Sequence, residues 1–253
     1  MFEKEMRLGI KLALKAGKLA CNGKFKTHDK GKFDIVTDKD LEVEKFIIEQ
    51  IKKKFPKDNI VSEETNYEKK ISSRSWVIDP IDGTINFAKG LPEWGVQLAF
   101  VDHEETQFSV IYLPKFNLLF TAKNGDGAYC NFKQININPN VDLKDVVIST
   151  GDIKPSAAHK KAFNDCLNSI ENKILISRKH GSACFALSMV ANSCLGACFA
   201  PIHTPWDYLP GELIVKESGG HVIHETYKTV EYSIAAANEN IAKFIQTEFK
   251  KAL

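Results

Sequence analysis

Nowhere do about 18 apolar residues run together, the length a helix needs to cross a bilayer, so no membrane span is expected. The opening MFEKEMRLGIKLALKAGKLA is broken by Glu3, Lys4, Glu5, Arg7, Lys11, Lys15 and Lys18 and does not read as a signal peptide. An excess of charge of one sign is missing too. Against 34 Lys and Arg stand 32 Asp and Glu, a net charge of +2 over 253 residues. That balance gives no support to a nucleic-acid or membrane partner held by bulk electrostatics, so any anionic ligand is expected to be bound locally. The six cysteines (21, 130, 166, 184, 194, 198) lack zinc-ribbon spacing and lie in apolar surroundings, which fits a cytoplasmic chain with reduced thiols. Cys194 and Cys198, four apart, read as small core residues. Internal repeats, low-complexity tracts, long linkers, a His/Cys cluster and a recognisable nucleophile triad are all absent.

What is present is a layered pattern. Phe2, Met6, Ile10, Ala13, Leu14 and Gly17 recur at three- and four-residue spacing, the signature of an amphipathic helix. Periodicity and caps predict helices near 3–20, 39–55, 157–170, 183–193, 206–218 and 239–251. Strands are expected near 59–62, 75–79, 94–101, 106–113, 117–122, 127–130, 145–149, 174–177, 197–200, 220–223 and 233–236. The alternation from Val96 to Ile135 suggests an antiparallel sheet, and the second half reads strand, helix, strand, helix. The expectation is an α/β (α+β layered) chain: an N-terminal half over 1–140 and a C-terminal half over 141–253, forming one compact unit.

Acidic residues stand out in four segments: FDIVTDKD (33–40), IVSEET (60–65), DPIDGT (79–84) and PWDYLPG (205–211). Thr37 and Asp40 have capping-box spacing ahead of a periodic run, and Thr204 and Asp207 repeat it with Pro205 between them. Glu63 and Glu64 can be read as solvated loop acids. DPIDGT is harder to read as a plain turn: Asp79 should end a strand and Asp82 curl back beside it, and two such carboxylates repel unless a cation lies between them. Mg²⁺ takes hard oxygen ligands, so carboxylates from different loops, with the carbonyl of Ile81, suit it. Gly83 and Thr84 would present backbone N–H groups at the start of a short helix, a seat for phosphate.

WVIDPIDGTINF (76–87) closely resembles the first signature of the inositol monophosphatase family, and WDYLPGELIVKESGG (206–220) resembles the second. FDIVTDKDLEVE and SEET match its two shorter acidic motifs in order, so the resemblance covers nearly the whole chain. It implies an alternating αβαβα sandwich of the sugar-phosphatase type, usually homodimeric, using two or three Mg²⁺ ions and often inhibited by Li⁺. It assigns one metal to Glu63, Asp79 and the Ile81 carbonyl and a second to Asp79, Asp82 and Asp207, with a weaker third approaching Glu63 through waters. Asp40 would pair with Thr84, and Thr84, Glu63 and Asp40 would orient the water that attacks phosphorus. Asp82, Gly83, Thr84 and Asp207 would meet the phosphate of a small phosphorylated substrate, and HGSA (180–183), with Gly181, Ser182 and Ala183, would line the leaving-group pocket.

Three departures from the pattern bear on substrate. Ala200 stands where a family glutamate commonly contacts inositol hydroxyls, a loss of roughly 1.5–3 kcal/mol of charged hydrogen bonding. Fructose-1,6-bisphosphate, 3′-phosphoadenosine-5′-phosphate and histidinol phosphate therefore remain open beside inositol 1-phosphate. Pro210 predicts that the helix after Asp207 begins at Leu209 or Pro210, leaving Asp207 outside it. Ser62 replaces a common glycine. His180 and His203 flank the expected pocket and read as exposed or packing histidines, because Mg²⁺ prefers oxygen. KTHDKGKFD (26–34) is either a flap over the phosphate or a solvated turn. The competing reading is a catalytically silent phosphometabolite-binding protein, which should have lost at least one carboxylate; none of the six matched positions is lost.

Overall fold

The computed structural model describes residues 1–31, 34–151, 157–201 and 204–253. The chain opens with α1 (Glu3–Cys21), a hairpin of β1 (Thr27–Gly31) and β2 (Asp34–Thr37), and α2 (Asp38–Lys54). Leu8, Leu12, Ala13, Ala16 and Ala20 of α1 and Val43, Ile47 and Ile51 of α2 are buried, each set on one stripe. α2 starts at the expected capping box, with Asp40 reaching back to the Thr37 N–H at 2.8 Å. Within the 26–34 segment, expected as a flap or turn, Thr27–Gly31 form β1, which pairs antiparallel with β2.

Seven strands then form one sheet in chain order: β3 (Asn59–Ser62), β4 (Ser75–Asp82), β5 (Gly95–Asp102), β6 (Glu105–Leu113), β7 (Leu118–Lys123), β8 (Gly127–Cys130) and β9 (Lys133–Ile135). Only β3 and β4 are parallel within it. Between β4 and β5 lies the short α3 (Thr84–Lys89). A second sheet has the order β11-β10-β12-β14-β13, from β10 (Val147–Thr150), β11 (Ile176–Lys179), β12 (Ala197–Pro201), β13 (His221–Tyr227) and β14 (Val230–Ala236). The remaining helices are α4 (Ala157–Ile170), α5 (Ala183–Ala191), α6 (Pro205–Glu217) and α7 (Glu239–Ala252).

α1 and α2 cover the outer face of the larger sheet, α5 and α6 fill the space between the sheets, and α4 and α7 cover the far side. This is the expected αβαβα sandwich. Covering a sheet on both faces explains why all eight residues of β4 are buried, with no alternation of polar and apolar. Trp76 and Ile78 point toward α1 and α2, where Trp76 meets Phe100 and Phe108 edge-on at 5.3 and 5.6 Å. Val77 faces the other way onto Trp206 of α6.

α6 corrects an expectation. The helix begins at Pro205, with Thr204 extended as its N-cap, and continues through Pro210. Proline at position 210 removes one helical hydrogen bond, but the helix is buried on several sides between two sheets and α5. That packing outweighs the lost bond, so Asp207 lies inside the first turn.

α5 and α6 approach closely because residue 211 has no side chain: a Cβ there would sit 2.3 Å from Leu187 Cδ1. Gly211→Ala should therefore destabilise the protein by about 1–3 kcal/mol, where alanine would ordinarily favour a helix. Thermal denaturation should show Tm falling by roughly 2–4 °C per kcal/mol for a chain of this size.

Candidate metal centre

The centre is built where β4 leaves the sheet. Pro80 has no N–H to donate, and the β4–β5 register shifts between Asp79 and Asp82, so the strand bulges and turns both carboxylates to one side. Gly83 completes the turn at φ 84°, in the left-handed region that glycine tolerates best. A side chain there would also come 3.0 Å from Ser182 Cβ and 3.1 Å from the Glu93 carbonyl. Asp207 arrives from α6, and the carboxylate oxygens of Asp79, Asp82 and Asp207 lie within 4.8 Å of one another.

Each acid is held by a defined partner. Asp79 accepts from the Ile81 N–H at 3.1 Å and from the Gln97 amide at 3.4 Å. The Ser182 hydroxyl and the Cys184 N–H donate to one oxygen of Asp82 at 2.5 and 2.7 Å. Thr204 donates to Asp207 at 2.8 Å. Asp40 accepts from the Thr37 hydroxyl at 2.5 Å and from the Thr84 hydroxyl at 3.2 Å. Thr84 Oγ1 lies equally close, 3.1 Å, to the Ile81 carbonyl. The Asp40–Thr84 contact expected from the motifs is thus present, and the Ile81 carbonyl faces the same space.

Glu63 enters from the turn after β3. Glu44 of α2 shapes that turn, accepting from the Glu64 N–H at 2.8 Å and from the Thr65 hydroxyl. Lys30 of the β1–β2 hairpin reaches over it, 3.1 Å from Glu63 and 2.8 Å from Glu64.

Burial dominates the electrostatics. It pushes the pKa of Asp79 well above the usual carboxylate range, with Glu63, Asp82 and Asp207 adding repulsion. Burial likewise raises Asp82, although Ser182 and the Cys184 N–H pull against it. It raises Glu63, despite Lys30, and Asp40, despite its hydroxyl partners. Glu64 is pushed to about 7 by burial and then by Glu63. Among the described residues no Lys or Arg pairs with Asp79 or Asp82. Such a set of hard oxygens fits a divalent cation and offers nothing to a soft metal.

Other expected residues fall as follows. Gly181, Ser182 and Ala183 adjoin Asp82, Ser182 capping α5 through the Phe185 N–H at 3.2 Å. The His180 Nδ1 hydrogen-bonds the Ser149 hydroxyl at 2.9 Å and its ring packs on Phe185, so it is a packing histidine. His203 lies outside the described residues. Ala200 pairs with Ser233 across β12 and β14. Gln97, Lys30 and Asn86 were missed. Gln97 had a signal, a fully buried amide inside the apolar GVQLAFVD. Asn86 ties α3 to the 180–183 loop, donating to the His180 carbonyl at 2.7 Å and the Glu93 carbonyl at 2.6 Å.

Comparison with known families matches residues 3–252 to the inositol monophosphatase family. A Thermotoga maritima protein named fructose-1,6-bisphosphatase/inositol-1-monophosphatase is 36% identical over 189 residues, 75% of this chain and 71% of that one. A Pasteurella multocida protein named Nus factor SuhB is 34% identical, covering 97% of this chain and 98% of that one. Among solved structures, an IMPase of Thermotoga maritima superposes with a TM-score of 0.85 at 30% identity, covering 99% and 100% of the two chains. The extragenic suppressor protein suhB of Bartonella henselae gives 0.90 at 28%, with the same coverage.

Carboxyls whose folded pKa is raised stabilise the fold below their unfolded pKa, and that contribution is lost as pH rises through the folded value. Without metal, Tm should therefore fall as pH rises from about 4, the ordinary carboxyl range, through about 7, the value to which Glu64 is pushed. Mg²⁺ competes with protons for the same oxygens, so its stabilisation should grow over that interval. At a free concentration of about 100 Kd it should reach about 2.7 kcal/mol, roughly 5–11 °C in a thermal melt. A Mg²⁺ shift that shrinks with rising pH would count against the carboxylates as ligands.

Proposed function

The chain belongs to the inositol monophosphatase family, and from that premise we propose that it is a Mg²⁺-dependent phosphomonoesterase acting on a small polyol or sugar phosphate. The observation that carries this reading is the convergence of Asp79, Asp82 and Asp207 within 4.8 Å, beside Thr84 held between Asp40 and the Ile81 carbonyl. We assign Glu63, Asp79 and the Ile81 carbonyl to one ion, Asp79, Asp82 and Asp207 to a second, and water-mediated contact with Glu63 to a third. Bound there, Mg²⁺ would neutralise phosphate and leaving-group charge and acidify the attacking water.

The protein's own groups divide the remaining work. Thr84 donates its hydroxyl proton to Asp40 or Ile81, so a free lone pair of its oxygen can accept from a water and aim that water at phosphorus. Asp40 and Glu63, both with raised pKa, are suited to share the proton the water loses. The N–H groups of Gly83 and Thr84 seat the phosphate, and Gly181, Ser182 and Ala183 wall the leaving alcohol. Phosphoryl transfer asks for positioning and charge neutralisation, so no nucleophilic side chain is needed. The 1–140 and 141–253 halves act as one unit, because Asp207 comes from the second and its partners from the first.

Inositol 1-phosphate or a broad range of sugar phosphates ranks first as substrate and fructose-1,6-bisphosphate second; the name of the Thermotoga relative carries both activities. A nucleotide bisphosphate ranks third, and histidinol phosphate is an unranked alternative. Homodimerisation and Li⁺ inhibition belong to the same reading. No described helix is long and apolar enough to cross a membrane, and all six cysteines are free thiols, in keeping with a cytoplasmic enzyme. Relatives named Nus factor SuhB bring forward the silent-protein alternative. Retention of every carboxylate in the set argues for catalysis.

Asp82→Asn should lower Mg²⁺-dependent phosphate release from the best of these substrates by at least about 1,000-fold, about 4 kcal/mol of barrier. The fold should remain intact by circular dichroism. Wild-type release should fall on adding Li⁺. Retained turnover in Asp82→Asn would overturn the assignment.

A further inference from the structure

The near-zero net charge of the chain conceals a strong segregation on its outer helical layer. Lys4, Arg7, Lys11, Lys15 and Lys18 are all exposed on α1. At 3.6 residues per turn they occupy roughly 80° of the helix circumference, in a straight row about 21 Å long. Among the described residues none of the five is in an ion pair. The acids of α1 stand off the row: Glu3 is engaged with Lys123, and Glu5 is buried against Arg74. Alongside, α2 exposes Lys45, Lys52, Lys53 and Lys54. Of the exposed acids on α2, Asp38 is engaged with His28 and Glu42 with Lys39, and Glu49 lies one turn from both Lys45 and Lys53 of its own helix.

We propose that this outer face of α1 is a docking surface for single-stranded nucleic acid, held through its phosphate backbone without reading of sequence. Five unneutralised cations on one line are complementary to a polymer that carries one negative charge per repeat. A flexible single strand can follow a straight helix for its whole length, whereas a rigid duplex curves away from it. The row itself presents no aromatic ring on which a base could stack, so contacts are confined to phosphates. An anionic membrane fits less well: Met6, Ile10 and Leu14, which border the row, are partly buried against the core and offer only a narrow apolar edge to insert. The surface lies on the opposite side of the larger sheet from α6 and uses none of the residues assigned to catalysis.

The test is fluorescence anisotropy of a labelled RNA of about 20 nucleotides, titrated with the full chain over a series of salt concentrations. Binding should weaken with salt, the slope of log K against log salt reaching about −3.5 for five neutralised phosphates. Lys11→Gln/Lys15→Gln should flatten that slope by about 1.4. Lys11→Glu/Lys15→Glu should weaken binding at least about tenfold at about 50 mM salt. Both variants should keep wild-type phosphate release, which also verifies their folding. Absence of RNA binding would overturn the proposal. So would binding undiminished in both variants, which would move it to the carboxylate site, or binding to vesicles of anionic lipid in place of RNA.

Discussion

Carboxylates forced together inside a protein repel one another, and the rest of this molecule is organised around holding them together. Asp79 and Asp82 are nearly excluded from water, and neither has a basic side chain against it among the described residues. Left alone they hold protons more tightly than ordinary carboxyls do, burial being the main cause. A divalent cation would relieve the same repulsion while keeping the groups ionised, and a phosphate beside it would then meet positive charge in place of negative. Proton release, cation binding and phosphate attraction would thereby be coupled at one point.

The surrounding structure resists that repulsion with hydrogen bonds and packing. Asp82 is secured by the N-terminal turn of α5 through Ser182 and Cys184, Asp79 by the buried amide of Gln97, and Asp40 by the cap of its own helix. Glu44 fixes the loop that presents Glu63. The arrangement also explains why α6 tolerates an internal proline. The helix is wedged between two sheets, and Asp207 must emerge from its first turn at a set height relative to β4. α2 serves these positions directly, through Asp40 and Glu44, whereas α1 serves them through the sheet it covers, which leaves its solvent face free to carry an unrelated charge pattern.

The long elements were legible because their periodicity is strong. The helices at 157–170 and 239–251 coincide with α4 and α7 to within a residue. β13 and β14 were seen only in part, since the turn between them uses Lys228 and Thr229 at φ 46° and 71°, a conformation normally announced by glycine or asparagine. The β1–β2 hairpin was hidden for a different reason: every residue of β1 is exposed, so no apolar alternation marks it. The α6 start was misjudged because local proline chemistry was weighed without the burial that overrides it.

The identity of the acidic residues, their order along the chain and the turn at Pro80 to Gly83 were determined by the sequence alone, because covalent geometry and residue chemistry act over a few positions. That Asp207 approaches Asp79 and Asp82 to within 4.8 Å, that Lys30 reaches Glu63, and that the acids of α1 are engaged away from its cationic row, Glu3 by Lys123 and Glu5 by Arg74, were decided only by the tertiary structure. Burial and distance between remote segments depend on how whole layers stack, and no local pattern encodes them.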